Sequence, residues 1–311
     1  MSAPWRIGLI GARGHVGGEL LRLIAAHPSL ELAYASSRAR AGDAIATAPD
    51  QVFEDLSPGD AAQRQADLVF LALPNGHAAR WAAAITAAAP RTRFIDMSAD
   101  HRFDPDWAYG LPELNRKAIR GAQRIANPGC YATAAQLAIA PLADRLASPP
   151  AIFGVSGYSG AGTTPGPRND PEQLADNLMP YALTGHMHER EISRHLGQSV
   201  HFMPHVAAFF RGLSVTVNLC VDAPMTAAQA RTLYEDAYGG EPFIRLDEDA
   251  PQVRAIAGRQ SARLGGFALS EDGRRLVMVC ILDNLLKGAA SQAMQNLNLA
   301  FGLPEDTGLA P

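Results

Sequence analysis

Arg6-Ile7-Gly8-Leu9-Ile10-Gly11-Ala12-Arg13-Gly14-His15-Val16-Gly17-Gly18 runs from an apolar stretch into glycines at 11, 14 and 17. The apolar residues predict a buried parallel strand, the glycines a tight turn, and Gly17 to Ala26 a helix. Such a turn offers unpaired N–H groups and a helix dipole to a dinucleotide pyrophosphate, and glycine lets the backbone come close. Gly11, Ala12, Arg13, Gly14, His15, Val16 and Gly17 are therefore candidate cofactor contacts. Their spacing differs from a plain G-x-G-x-x-G, so the surrounding strand-helix-strand pattern carries much of the argument.

That pattern continues outward. Leu30 to Ser36, Asp67 to Leu73 and Phe94 to Met97 read as short buried strands and His77 to Ala88 as a helix, the signature of a doubly wound, Rossmann-like α/β domain with a parallel sheet. The second strand ends in Tyr34-Ala35-Ser36-Ser37-Arg38, without the acid that holds an NAD ribose. Ser36, Ser37 and Arg38 suit a 2′-phosphate instead, so NADP(H) is the expected cofactor.

Beyond residue 148 the pattern changes. Ile152 to Val155, Leu213 to Val221 and Arg275 to Leu282 look like longer strands, with helices expected near Ala175 to Leu183 and Ala227 to Tyr238. This half reads as an α+β domain. Leu285 to Phe301 has apolar residues at 286, 290, 293, 297 and 301 and predicts an amphipathic helix returning to the first domain. The expected division is residues 1–148 with 285–311 for the cofactor domain, and 149–284 for the α+β domain. Thr163 to Pro171 is loop chemistry, either a lid or a long connection.

Bulk properties narrow the function. A 47% hydrophobic, 19% charged chain of 311 residues is that of a two-domain globular enzyme rather than a disordered or membrane protein. The net charge of −4, with scattered arginines, gives no footprint for nucleic acid. Nothing near the N-terminus reads as a signal peptide, and three widely spaced cysteines do not make a disulfide framework, so a cytoplasmic location with reduced thiols is expected.

Asn127-Pro128-Gly129-Cys130 punctuates the end of a strand, and Tyr131 to Leu146 continues at helical spacing. Cys130 then sits at a helix N-terminus at the ligand-binding end of an open α/β sheet, where the dipole favours a thiolate nucleophile. Cys220 and Cys280 lie within apolar strands and are expected in the core. A base is sought in His186-Met187-His188-Glu189-Arg190-Glu191-Ile192. Residues two apart on a helix point about 200° apart, so only one of the two histidines can face Cys130. Each has a carboxylate three residues on, Glu189 or Glu191, and local geometry does not choose between them. Ile192 replaces the second histidine of H-E-x-x-H, which argues against a metal.

At this point the chain resembles, over nearly its whole length, the N-acetyl-gamma-glutamyl-phosphate reductases, relatives of aspartate-semialdehyde dehydrogenase. The motifs, in order, are Gly11 to Leu20, Ala72-Leu73-Pro74-Asn75-Gly76-His77, Asp96-Met97-Ser98-Ala99-Asp100-His101-Arg102, Tyr109 to Leu114, Asn127-Pro128-Gly129-Cys130-Tyr131-Ala132-Thr133, Val155-Ser156-Gly157, Pro204-His205, Arg211-Gly212 and Asp283 to Ala290. The resemblance implies an NADP domain, an oligomerising catalytic domain, Cys130 as nucleophile and His188 as base, which breaks the tie against His186, with Glu191 beside it. It implies Pro74 and Asn284 as cofactor contacts, and Asn127, Ser156 and Gly157 as lining for the substrate. The reaction implied is attack of Cys130 on an acyl phosphate, loss of phosphate, reduction of the thioester and release of N-acetylglutamate semialdehyde. A small substrate carrying carboxylate and phosphate calls for fixed arginines, and Arg102 and Arg211 are the candidates.

Some residues depart from the family pattern: Arg13 replaces Ser or Thr, His15 an aromatic residue and Asn75 a histidine, and Ser156 to Gly162 is longer in small residues. Aspartate-semialdehyde dehydrogenase activity, or action on a carrier-linked aminoadipyl phosphate, are the rival chemistries. A carrier protein would call for a basic rim, and the loop at 166–170 supplies only Arg168. An NADP-binding protein without catalysis is the rival from another class.

Overall fold

The protein is described here from a computed structural model covering residues 3–310. Met1, Ser2 and Pro311, the outermost residues of the expected first domain, lie outside the described residues. The chain forms two compact units, residues 3–129 with 289–310 and residues 130–288.

The first unit begins with β1 (Trp5–Ile10), α1 (His15–Ala26) and β2 (Leu30–Ser36), followed by a small hairpin of β3 (Ala44–Ile45) and β4 (Ala48–Val52) and then α2 (Pro58–Ala62). It continues with β5 (Leu68–Leu71), α3 (Ala78–Ala88), β6 (Arg93–Asp96), β7 (Ala108–Tyr109), α4 (Pro112–Ile119) and β8 (Arg124–Ala126). Six of these strands form a parallel sheet in the order β2-β1-β5-β6-β8-β7. The expected doubly wound fold is the one observed. Side-chain alternation explains why β5 reads as a continuous apolar run: Leu68 and Phe70 enter one core with Ile7, Leu9 and Ile95, while Val69 and Leu71 enter the other with Trp81 and Phe94.

The second unit begins at α5 (Cys130–Ile139) and runs through β9 (Ala151–Gly157), α6 (Pro171–Leu174), β10 (Leu178–Pro180), α7 (Met187–Leu196), β11 (His201–Ala207) and β12 (Leu213–Cys220). After these come α8 (Ala227–Tyr238), β13 (Ile244–Leu246), β14 (Ala262–Leu269) and β15 (Arg275–Leu282). The sheet order is β10-β11-β9-β12-β15-β14-β13, with parallel pairs only at β11/β9 and β13/β14. Helices α5, α7 and α8 cover one face. The other carries Phe153, Val155, Met203, Thr216 and Val279, all partly exposed.

Several expectations change. The units divide at residue 130, not 149, and at 289, not 285, because α5 packs on β12, β15 and α7 of the second sheet. No helix forms over 175–183: Asp176 and Ala182 have positive φ, and Leu178–Pro180 is an edge strand on β11. Cys280 is fully buried but Cys220 is exposed, since Leu213, Val215, Val217 and Leu219 take the inward positions of β12 and leave Cys220 on the other face at the strand's end. The last helix, α9 (Ala290–Phe301), belongs to the first unit but starts five residues later than expected. It is not amphipathic in practice, because Gln292, Gln295, Asn296 and Asn298 are buried with its apolar residues. Asn296 donates to the Gly110 carbonyl and to Asn127 Oδ1, and Asn298 to the carbonyls of Glu305 and Thr307, so the amide nitrogens of both are satisfied by hydrogen bonds.

Candidate active site

In the first unit the glycine turn has the shape a pyrophosphate requires. Gly11 has φ +85°, and a Cβ there would stand 2.1 Å from the Ala72 carbonyl oxygen. A Cβ on Gly17 would come within 2.8 Å of the Ala12 backbone. Gly14 caps α1 without any side-chain hydrogen bond, and no acidic residue occupies the first turn, so no first-turn carboxylate competes with an anion. The amides of Gly11 and Ala12 both donate to the Ser36 carbonyl, which ties this turn to the end of β2. There Ser36 and Ser37 are buried and Arg38 is exposed, followed by Arg40 over the Phe53 ring. Arg13 is exposed, and His15 and Val16 open the helix half-buried. These residues fit a dinucleotide with a 2′-phosphate.

Two further loops leave the C-terminal ends of β5 and β6 and are bonded to each other. Pro74 is exposed on the first. Asn75 Oδ1 accepts from the Ala99 amide, and Asp100 accepts from the amides of Gly76 and Ala78, so the residue that departs from the family pattern acts as a strut. Asp96, fully buried, accepts from the Ser98 amide and meets His101 Nδ1 at 2.7 Å, with His101 stacked on Trp107. Arg102 is buried and oriented by the carbonyls of Asn127 and Met97. Asn127 does not present its amide to a ligand. Its oxygen accepts from Asn296 and its nitrogen donates to the Ala289 carbonyl, so it fixes the Pro128-Gly129 turn that delivers Cys130.

In the second unit Cys130 opens α5 and is the one residue of that helix not buried. Gly288 makes room for it, since a Cβ there would lie 2.7 Å from the Cys130 Cβ. Gly154 does the same for Tyr131, whose hydroxyl donates to the His205 carbonyl at 2.6 Å and whose ring packs edge-on against Phe202 and His188. Tyr181 completes this cluster. Burial, with the charge of a Cys130 thiolate nearby, pushes Tyr181 up to about 12 and Tyr131 well above its ordinary value. Arg168 lies 4.7 Å over the Tyr181 ring. Neither Arg168 nor Tyr181 was singled out for the site by sequence; the loop leading to Arg168 is held by Asn169, whose Oδ1 accepts from the Gly166 amide and whose Nδ2 donates to the carbonyls of Gly162 and Thr164.

The two histidines separate by hydrogen bonding. His186 caps α7, its Nδ1 accepting from the His188 amide at 3.0 Å. With that lone pair engaged, the neutral ring carries its hydrogen on Nε2 and has no acceptor left for another proton. Burial and the Arg168 charge push His186 below the ordinary histidine range and keep it neutral. His188 lies within the first turn, against Tyr131. The carboxylates separate as well: Glu189 accepts from the amides of Gly185 and Phe202, while Glu191 is fully buried one turn after His188.

Four expected contacts prove to be engaged within the second unit. Arg211 grips the fully buried Asp283 through two hydrogen bonds of 2.6 and 3.1 Å. Asn284 accepts from the Gly212 amide and donates to Ser159 Oγ, which gives it a structural use rather than an open face. Ser156 is buried and donates to the Gly157 carbonyl, and Gly157 has no room for a Cβ, which would meet the Phe209 and Phe210 carbonyl oxygens at 2.7 and 2.6 Å. Among the described residues, no helix is long and apolar enough to cross a membrane and no His/Cys/Asp/Glu group is placed to hold a metal.

Comparison with known proteins agrees with this division. Residues 6–122 match the semialdehyde dehydrogenase NAD binding domain, and residues 130–284 the semialdehyde dehydrogenase dimerisation domain. Curated relatives named N-acetyl-gamma-glutamyl-phosphate reductase include one from Xanthomonas campestris pv. campestris, 56% identical over 311 residues and covering 98% of each chain. Another, from Stenotrophomonas maltophilia, is 56% identical over 312 residues, covering 99% of this chain and 98% of its own. Among solved structures, aspartate semialdehyde dehydrogenase II from Vibrio cholerae shares the fold at a TM-score of 0.79 and 21% identity, over 97% of this chain and 99% of that one. Conserved over nearly the full length at such identity, the chain belongs to the N-acetyl-gamma-glutamyl-phosphate reductase family of semialdehyde dehydrogenase-type oxidoreductases.

Proposed function

We propose that the protein reduces N-acetyl-gamma-glutamyl phosphate to N-acetylglutamate 5-semialdehyde, releasing phosphate, through a thioester on Cys130. The observation that carries this is the placement of Cys130: a half-exposed thiol at the start of α5, beside Tyr131 and Tyr181 and in one cluster with His188. The helix N-terminus favours the thiolate. His188 takes the Cys130 proton, and the sulfur attacks the acyl carbon and expels phosphate. Bound NADPH supplies the hydride that reduces the thioester. His188 lends its proton to the hemiacetal oxygen and withdraws it as the carbon–sulfur bond breaks, returning the thiolate and releasing the aldehyde. Glu191 orients His188.

Gly11 to Gly17 would hold the pyrophosphate with Pro74 beside it, and Ser36, Ser37 and Arg38 the 2′-phosphate. Arg102, braced by two carbonyls, and Arg211, braced by Asp283, are the groups for the substrate's anions, and such bracing removes ordering cost from binding. Ser156 and Gly157 shape the wall near Tyr131. Asn127 and Asn284 support the site from behind. The open face of the second unit's sheet, with Phe153 at its centre, is where a second copy pairs to make a homodimer. The three cysteines lie apart from one another as reduced thiols, which suits the cytoplasm.

The test is phosphate-dependent reduction of NADP with N-acetylglutamate semialdehyde, comparing wild type with Cys130→Ser and offering aspartate semialdehyde in competition. Activity with the acetylated aldehyde that the serine variant lacks supports the reading. No activity with either aldehyde, while NADPH still binds, refutes it.

A further inference from the structure

The function proposed above uses His188 and leaves His186 without a task, yet His186 is itself held by several contacts. Its Nδ1 accepts the backbone N–H of His188 itself, at 3.0 Å, while its carbonyl accepts the amides of Glu189 and Arg190. The ring is wedged edge-on between Tyr181, Phe202 and His188, with centroids 5.5, 5.4 and 4.9 Å away. Ordinary N-caps are Ser, Thr, Asp or Asn, which do the hydrogen bonding with less bulk. A histidine cap adds three ring contacts to one hydrogen bond. The amide it accepts belongs to the residue proposed as base, so the cap fixes the backbone from which the His188 side chain departs.

We propose that His186 is a positioning residue: by capping α7 through Nδ1 it sets the orientation of His188 toward the Cys130 cluster, and takes no proton itself. This rests on His188 being the base for Cys130. The cap requires a neutral His186 with hydrogen on Nε2, a state in which the ring has no lone pair to offer a substrate. Misplacing a catalytic group by about 1 Å costs on the order of 100-fold in rate, so loss of a cap directly beneath the base is felt in turnover more than in substrate binding.

Three variants test it in the full-length protein. His186→Ala loses acceptor and ring, His186→Phe keeps the ring without the acceptor, and His186→Asn keeps an acceptor at the cap. Alanine and phenylalanine are expected to lower kcat about 10- to 100-fold with KM for aldehyde and phosphate little changed, and asparagine to recover most of it. A second readout needs no turnover: the rate at which iodoacetamide alkylates Cys130 at neutral pH, followed on the Cys130 peptide by mass spectrometry. It should fall in the alanine and phenylalanine variants and recover in asparagine. Thermal melting confirms that each variant is folded. Wild-type kcat and alkylation in His186→Ala would overturn the proposal, as would an asparagine variant as impaired as alanine, which would make the imidazole itself a chemical participant. Absence of wild-type turnover with normal Cys130 alkylation would count against the proposed substrate and leave the alkylation series to decide on His186.

Discussion

The glycine turn of the first unit and the cysteine cluster of the second are built on opposite plans. The first is continuous: Gly11 to Gly17 is shaped by the absence of Cβ atoms at Gly11 and Gly17, with the amides of Gly11 and Ala12 tied to the Ser36 carbonyl. The second is assembled from Cys130 and Tyr131 on α5, Arg168 before α6, Tyr181 after β10, and His186 and His188 at the start of α7. Backbone sites tolerate side-chain change but not an added carbon. Side-chain clusters tolerate backbone adjustment but not loss of a functional group.

The largest effect falls on the second plan. Cys130→Ser should lower turnover on the order of 10⁴-fold or more while leaving NADPH binding and the melting temperature near wild type, read by steady-state kinetics and cofactor titration. If the serine variant kept substantial activity, the cluster would not be the chemical site. On the first plan, Gly11→Ala forces a Cβ into the Ala72 carbonyl at a positive φ and should destabilise by about 3 kcal/mol in urea unfolding, with loss of cofactor binding. A silent Gly11→Ala would break the claim that close approach shapes this turn.

Arg38→Ser sharpens the same unit. Loss of a charge-assisted contact to a 2′-phosphate, worth about 1.5–3 kcal/mol, should lower kcat/KM for NADPH by about 10- to 100-fold and leave NADH unaffected. Equal losses with both cofactors would remove Arg38 from cofactor choice.

The smallest effect is shared by the two units. His27 in the first accepts the Ser29 amide at Nδ1 and faces Asn298 through Nε2, as His186 in the second accepts the His188 amide. Burial leads the causes that push both below the ordinary histidine value of 6.5, with Arg168 adding to it at His186. The folded state then binds fewer protons than the unfolded state at mildly acid pH. These groups' full contribution to stability is therefore present above about pH 6.5 and is lost as pH falls through the lowered folded values. Urea unfolding at pH 7 and pH 5 should show the decline, and His27→Gln and His186→Asn should each make it shallower. An unchanged slope in both would mean that neither ring is held neutral by the fold.

Much of the first unit was legible because its signals are local. A strand that alternates between two buried faces and a glycine that lets two backbone segments come close are stated within a few consecutive residues, as is, in the second unit, a cysteine at a strand-to-helix turn. The misreadings lie where the neighbours are distant. Cys220 sits in an apolar run, and only the pairing of β12 with β9 and β15 shows that its side of the strand is the uncovered one. Residues 175–183 have helical composition, but edge pairing with β11 and two positive-φ residues make them strand and turn. Asn127 and Asn284 sit in motifs that suggest ligand contacts, and their amides are instead taken by Asn296, Ala289, Gly212 and Ser159.

The sequence alone determined the doubly wound cofactor unit, the cysteine at a strand-to-helix turn, the pair of candidate histidines and the family, because periodicity, turn chemistry and ordered motifs are properties of neighbouring residues. Tertiary structure alone decided that α5 belongs with the second sheet, that Tyr181 stands by Cys130 with Arg168 over its ring, that Arg211 is bound to Asp283, and that His186 caps α7. Those outcomes depend on which strands pair and which helix face they cover, and the energy that selects them comes from burial and hydrogen bonding between residues far apart in the chain.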